Sequence, residues 1–202
     1  MRRWTKRDGC LAIATGGLRR LARDCSGTAL VEMAFVGPVL FLVFTGSYVV
    51  GDMVTCGRKV SLTAHTITDL TSQYGAVAPA NLTAVLSNSA YVLAPYSTAN
   101  ATLRISEVQV TDASHASVIW SQAQNGTALI AGTIVNLPAN MAPPLMVPNP
   151  AASPPTVGGY FIMGEISYPY VPAFGGGWLP SPNLYNRYFM LPRMSNSIPL
   201  TS

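Results

Sequence analysis

The chain has 202 residues, a formal net charge of +4 and only 10% charged side chains. The charge is unevenly distributed: seven basic and two acidic side chains fall within residues 1–27, whereas five basic and six acidic ones fall within residues 28–202. A nucleic-acid-binding domain needs a basic face on its folded part, and the region after residue 27 offers almost none. We therefore expect no nucleic acid among the partners of this protein.

A basic leader over residues 1–27 precedes an uncharged run of 19 residues, 33–51. As a helix, this run would be about 28 Å long, close to the hydrocarbon thickness of a bilayer. It is longer than the apolar part of a secretory signal peptide, and no convincing cleavage site follows it. We predict a transmembrane helix over residues 28–52. The basic flank then lies in the cytoplasm and the C-terminal part outside it.

One carboxylate, Glu32, stands at the start of this apolar run. The helix dipole accounts for an acid in the first turn, but it does not account for the fixed spacing from Gly27. Pro38 removes the helical hydrogen bond to the carbonyl of Ala34, which predicts a kink or local unwinding there. Membrane helices tolerate proline, so Pro38 alone does not argue against a span.

The helical pattern continues beyond the run as an amphipathic extension over residues 53–75. Gly75 and Pro79 end the pattern, and several threonines weaken the intrinsic helicity, so this segment must pack on something. The predicted apolar stripe consists of Met53, Cys56, Val60, Thr63, Ile67, Leu70 and Tyr74.

Cys56 is the only cysteine after residue 51, because Cys10 and Cys25 belong to the leader. No disulfide can therefore form within the region beyond the membrane, which must fold on its apolar core alone. We interpret Cys56 as an inert, small apolar helix residue. A disulfide between two copies of the chain is the alternative.

Residues 76–202 are predicted to form a β-rich domain after a short helix at 81–91, with Asn81 as its cap. The alternation slips near Ser106 and Glu107, which indicates a bulge. Asn125-Gly126 is a predicted turn. Strands are predicted at residues 102–110, 117–122, 128–135, 160–171 and 187–198.

The clearest of these strands is 160–171, whose tyrosines and isoleucines fall on the face opposite Glu165 and Ser167. Seven prolines within residues 138–159 exclude regular structure and predict a long surface loop. A second loop begins at the glycines of residues 175–177. It carries Trp178, which either contacts a partner or covers the core.

The residues offer little basis for catalysis or metal binding. His65 on the helix and His115 in a polar turn are not spaced for a metal site with other ligands, and both read as surface polar residues. No nucleophile motif or phosphate-binding loop occurs. We predict that the protein is not an enzyme and has no catalytic, cofactor-binding or metal-binding residues.

The segment from Arg23 to Leu40 reads RDCSGTALVEMAFVGPVL. It resembles the N-terminus of the TadE-like family, the pseudopilins of tight-adherence (Flp-type) pilus systems. That family has a basic leader, a G-x-x-x-V-E-F-A motif and a P-x-L within the membrane helix. Residues 56–60 and 64–70 also resemble its helix extension, and residues 160–170 and 191–195 its closing strands more loosely.

The resemblance implies cleavage between Gly27 and Thr28 by a prepilin peptidase, a membrane aspartyl enzyme. Glu32 would then be the fifth residue of the mature chain. A carboxylate buried in lipid or in a pilus needs a partner, and the new amino group of a neighbouring Thr28 would set the subunit register. The implied location is the bacterial inner membrane, in a single pass with a periplasmic domain. The implied partners are membrane lipid, prepilin peptidase, pilin subunits and the pilus assembly and secretion machinery.

The sequence thus predicts an α+β, pilin-like fold, in which a long N-terminal helix packs on a small β-rich domain. The favoured function is that of a non-enzymatic minor pilin, or pseudopilin, or an assembly factor of a tight-adherence pilus. The alternative is a single-pass membrane-anchored periplasmic binding or adhesion protein unrelated to pili. For such a protein, the spacing of Gly27 and Glu32 would be coincidental.

Overall fold

The computed structural model describes residues 26–152, 155–174 and 181–201. Most of the predicted leader, with Cys10 and Cys25, lies outside these ranges, as does Trp178. The chain divides into two compact units, Met1–Tyr48 and Val49–Ser202.

The first element is a helix, α1, over Ser26–Ser72. The prediction of one long N-terminal helix is therefore confirmed. The helix continues through Pro38 without a break, so the local unwinding considered for this position does not interrupt it. The bend at Pro38 stays a prediction.

The second half of α1 buries one face within the folded domain. Along the predicted stripe, the residues from Cys56 to Ile67 are fully buried. The stripe is wrong at Leu70, which is 38% exposed, whereas Thr71 is buried. The difference follows from helix geometry. Starting at Met53, steps of 3.6 residues reach position 71, whereas the alternating steps of three and four residues reach position 70.

Threonine hydroxyls buried on this face are satisfied by the helix itself. Thr68 Oγ1 donates to the carbonyl oxygen of Ala64 at 2.7 Å, and Thr71 Oγ1 donates to that of Ile67 at 2.8 Å. These bonds remove the cost of burying a polar group among apolar neighbours. Threonine can therefore occupy a core-facing position of α1.

A second helix, α2, spans Pro79–Ala90 and continues into a 3-10 turn at Tyr91–Leu93. Its apolar face is buried as predicted, but Asn81 is not its cap. The helix begins two residues earlier because Pro79 occupies the first turn, where a missing N–H costs nothing. Ala78 is the residue that precedes it, without a side-chain hydrogen bond.

Five antiparallel strands form one sheet, in the order β3-β2-β1-β4-β5. With the helices, this sheet makes the chain an α+β protein. The strands are β1 (Thr102–Val110), β2 (His115–Gln124), β3 (Ile134–Asn136), β4 (Tyr160–Pro169) and β5 (Asn183–Met190).

Two strand predictions are wrong in their extent. Only the end of the predicted 128–135 strand pairs, because Gly132 has a φ of +86° and the N–H of Thr133 turns back to the carbonyl of Ile130. The predicted 187–198 strand is displaced towards the N-terminus. It ends at Met190, shortly before Pro192, which cannot donate a ladder hydrogen bond.

The predicted bulge is present, but its extra residue lies on the neighbouring strand. The register of β1 with β2 shifts between Glu107, which pairs with Trp120, and Val108, which pairs with Val118. Ile119 of β2 is therefore unpaired. The apparent slip in β1 arises because both faces of this strand are buried near Glu107.

The sheet buries both of its faces, and the two apolar clusters lie on opposite sides. We call the side that packs on the helices the front. Its cluster includes Ile67 of α1, Leu86 of α2 and Ile166 of β4. The back cluster includes Val108 and Met163. Sequence alternation alone predicts one buried face, so the back cluster was not expected.

The proline-rich segment, residues 138–159, covers the back of the sheet. Met141, Met146 and Val147 pack against the back cluster. Within its described residues the segment has one 3-10 turn, Pro144–Met146, and one isolated bridge pair. The predicted irregular loop is thus also a lid over a second small core.

We predict that Gly164→Ala destabilises the fold, because α1 leaves no room for a side chain at this glycine of β4. A methyl group there would collide with Thr68 Oγ1 and lie 2.9 Å from the carbonyl oxygen of Ala64. We expect the free energy of unfolding to fall by about 1–3 kcal/mol, measured by denaturant titration of the detergent-solubilised chain.

The matched control is Gly57→Ala on α1, where an added methyl group meets no atom within 4 Å. Alanine has a higher helix propensity than glycine, so this variant should be neutral or more stable by up to about 1 kcal/mol. Equal stability of the Gly164 variant and the parent would show that the helix and sheet are not closely packed there.

Candidate functional site: the apolar helix and the Asp52 cluster

The described part of the first unit, residues 26–48, is a helix whose apolar side chains face outward. Phe35 is 76% exposed, and the leucines, valines and phenylalanines that follow are similarly open. By length and composition, the helix that contains them could cross a membrane. Lipid is one environment that removes such a surface from water.

The residues predicted to be processed or to direct assembly all lie on this helix. Gly27, Thr28 and Glu32 are helical and exposed, and Glu32 lies just over one turn beyond Gly27. Among the described residues, no ion pair involves the Glu32 carboxylate. Its predicted partner is the amino group of another subunit, so this prediction concerns an assembly.

In the second unit, a hydrogen-bonded cluster surrounds Asp52, the first charged residue after the uncharged run. Tyr96 Oη donates to Asp52 Oδ1 at 2.7 Å, and Tyr170 Oη donates to Asp52 Oδ2 at 2.6 Å. Each carboxylate oxygen thus has a phenol partner. Hydrogen bonds to an ionised acceptor are stronger than those between neutral groups. The cluster ties α1 to two connections that are distant in sequence.

The surroundings of Asp52 hold its neighbours in their protonated forms. Burial, and then the hydrogen bond to Asp52, raise the pKa of the Tyr96 phenol above its ordinary value. Burial, and then the Asp52 charge, raise the pKa of the Cys56 thiol to about 11. A thiol with such a pKa is not a nucleophile at neutral pH. This agrees with the interpretation of Cys56 as an inert helix residue.

A second charged cluster, around Glu165, lies on the back of the sheet. Arg104 Nε is 2.9 Å from Glu165 Oε2, and Arg187 Nη2 is 2.8 Å from Glu165 Oε1. Tyr185 Oη donates to the same carboxylate. In the register of the sheet, Glu165 of β4 pairs with Arg104 of β1 on one side and with Arg187 of β5 on the other. We read the cluster as a strand clamp, because a buried carboxylate needs such partners.

Glu107 is the second buried carboxylate among the described residues, on the front of β1. Its Oε1 accepts the N–H of Ile198 at 2.6 Å, and Trp120 Nε1 donates to the carbonyl of Ile198 at 2.8 Å. Burial raises the pKa of Glu107 despite these bonds. The carboxylate therefore fastens the segment around Ile198 to the sheet.

The two histidines lie where the sequence places them, on the helix and in a turn. His65 is exposed and stacks edge-on with Tyr188, with 4.6 Å between ring centroids. His115 Nδ1 lies 2.9 Å from the Asp112 carboxylate. Within residues 26–152, 155–174 and 181–201, no three His, Cys, Asp or Glu side chains gather as metal ligands.

Sequence reasoning missed the Asp52 cluster. A signal did exist, because an acid directly after a 19-residue uncharged run needs a partner if it is to remain charged near lipid. The identity of that partner was not readable. Tyr96 and Tyr170 are 44 and 118 residues away in the chain, and only the fold brings them to one carboxylate.

Comparisons of the chain with protein-family models, with curated proteins and with solved structures give no match.

We predict that Tyr96→Phe lowers the free energy of unfolding by about 1.5–3 kcal/mol at pH 7, since it removes one hydrogen bond to a carboxylate. Above pH 10 the unfolded parent loses the Tyr96 proton, whereas the folded parent retains it, because the folded pKa is raised. The free energy of unfolding of the parent should therefore fall as the pH rises past 10. That of Tyr96→Phe should fall less over the same pH range.

The control is Tyr91→Phe, at an exposed tyrosine of the same connection. It should change the free energy of unfolding by less than about 0.5 kcal/mol. Denaturant titrations of both variants between pH 7 and pH 11 make the measurement. If Tyr96→Phe behaved like Tyr91→Phe, the Asp52 cluster would contribute nothing to stability.

Proposed function

We propose that this protein is a non-enzymatic minor pilin, or an assembly factor, of a tight-adherence pilus. In this proposal α1 anchors the chain in the bacterial inner membrane with its leader in the cytoplasm, and residues 76–202 lie in the periplasm. A prepilin peptidase cuts between Gly27 and Thr28. The partners are pilin subunits and the pilus assembly and secretion machinery.

The observation that carries the proposal is the combination of motif and surface on α1. Glu32 follows Gly27 at the spacing of the TadE-like motif, at the start of a helix whose apolar side chains face outward. A helix of this kind either contacts lipid or packs against other subunits, and a pilin does both in turn. The continuity of α1 into the folded domain also suits a subunit whose domain is displayed from its own anchor.

Three carboxylates of the second unit, two of them buried, support a structural role more than a catalytic one. Asp52, Glu107 and Glu165 are each engaged by hydrogen bonds from the protein itself. Catalytic acids instead face a cleft in which a substrate can reach them.

We predict that the mature membrane-extracted chain begins at Thr28. Intact mass spectrometry of the protein expressed with its prepilin peptidase measures the N-terminus directly. Gly27→Ala should leave the leader attached, because the peptidase requires glycine before the cut. The matched control is Gly37→Ala, at another helical glycine with open space around it, which should be cleaved like the parent.

A chain that still begins at Met1 in the presence of the peptidase would contradict the processing. The alternative, a membrane-anchored periplasmic binding or adhesion protein unrelated to pili, would then be preferred. That outcome would leave the anchoring role of α1 intact.

We predict that Glu32→Gln abolishes or strongly reduces incorporation of the subunit into pili while membrane insertion continues. The amide keeps the shape of the side chain but loses the charge that would pair with the amino group of a neighbouring Thr28. Sheared pili and membrane fractions are assayed by immunoblot. Wild-type amounts of the Glu32→Gln subunit in sheared pili would exclude the proposed register role.

A further inference from the structure

The second unit carries exposed apolar side chains shortly after Tyr170, which bonds to Asp52. Tyr170 Oη lies 2.6 Å from Asp52 Oδ2 and 3.5 Å from the carbonyl oxygen of Val49. These bonds place the end of β4 beside the last turn of the uncharged run. Directly after Tyr170, Val171 is 59% exposed and Phe174 is 57% exposed. Two exposed apolar side chains thus follow Tyr170, the residue that bonds to Asp52, by one and four residues.

The two segments whose tyrosines bond to Asp52 contain no charged residues. No Asp, Glu, Lys or Arg occurs in residues 70–103, which supply Tyr96, or in residues 166–186, which supply Tyr170. A surface without charged groups can enter the headgroup region of a bilayer at little desolvation cost. Both segments are therefore compatible with close contact to lipid.

Two basic residues, Arg58 and Lys59, lie farther along α1 than Asp52. Arg58 is exposed and Lys59 is partly exposed, and neither has an ion pair among the described residues. They follow Asp52 by six and seven residues, which is about 9–10 Å along a helix. The headgroup layer of a bilayer extends about 5–8 Å beyond its hydrocarbon core. Long basic side chains can reach back over the remaining distance.

We propose that Val171, Phe174, Arg58 and Lys59 form a membrane collar, a second contact of this protein with the bilayer that α1 enters. Val171 and Phe174 lie at the boundary between acyl chains and headgroups. Arg58 and Lys59 bind lipid phosphates farther out. The order of the two layers matches the order of polarity in a bilayer, with apolar groups inside and anionic groups outside.

The collar adds a contact at the membrane surface to the anchoring by α1. Apolar side chains in the interfacial layer and basic side chains on lipid phosphates each favour the membrane-bound state of the domain. The inference rests on the proposed anchoring by α1, but it does not depend on the assignment to a pilus.

The test uses the full chain reconstituted into vesicles of phosphatidylcholine with a minority of phosphatidylglycerol. Cys10 and Cys25 are replaced by serine, and the fully buried Cys56 is kept. An environment-sensitive fluorophore is attached through Phe174→Cys, and in a second variant through Val171→Cys. Quenching is measured with a lipid that carries a nitroxide close to its headgroup and, for the probe at position 41, with a lipid that carries it deep in the acyl chain.

Two further labelled variants calibrate the depth. Phe41→Cys lies within the uncharged run. Met194→Cys is also exposed, at 72%, but it follows Arg193, which pairs with Asp69. Asp69 lies 17 residues beyond Asp52, or about 25 Å along α1. The Met194 probe therefore reports an apolar surface position far from the lipid.

We expect quenching at positions 174 and 171 to exceed that at position 194 by at least about threefold. Arg58→Glu combined with Lys59→Glu should reduce the quenching at position 174 by about half, because negative side chains then face anionic lipid. Added salt should make this loss of quenching smaller. Quenching at 174 and 171 equal to that at 194, with the Phe41 probe quenched, would overturn the collar alone. An unquenched Phe41 probe would overturn the anchoring and the collar together.

Discussion

The packing of α1 on β4 is the contact on which the rest of the domain depends. Without a disulfide among its described residues, the second unit is held by apolar burial, and the buried face of α1 supplies part of the front core. Gly164 lets the helix backbone approach the sheet, and the threonines of α1 bond to their own helix and leave no unsatisfied groups at this contact. The part of α1 from Cys56 onwards is therefore an integral part of the domain core.

Asp52, Glu107 and Glu165 each join parts of the chain that are far apart in sequence. Asp52 joins α1 to the connections before β1 and after β4, and Glu165 joins three neighbouring strands. Glu107 joins β1 to the segment around Ile198. Charged groups are rare in this chain, and burying one is costly unless its partners are in place. Such groups favour one arrangement of the chain over others, which apolar contacts alone do less well.

Much of the fold was predictable from local pattern, and the exceptions have physical reasons. The long helix, the bounds of β1 and the bulge near Glu107 follow from periodicities of 3.6 and 2. The start of α2 was missed because Pro79 overrides a side-chain cap, and the strand at 128–135 was overextended because the positive φ of Gly132 is invisible in an apolar run. The candidate site divides in the same way. Gly27 and Glu32 are local in sequence, whereas the tyrosines around Asp52 depend on tertiary structure.

The attachment of Ile198 has a consequence for the order of events during synthesis of the chain. Its N–H is bonded to Glu107 and its carbonyl to Trp120, and its side chain is fully buried in the front core. Until residue 198 has been synthesised, Glu107 lacks this bond and the front core lacks one of its members. The front core therefore stays incomplete until that residue is available. During that interval Glu107 and the front face of β1 are open to other contacts, which the attachment of Ile198 later excludes.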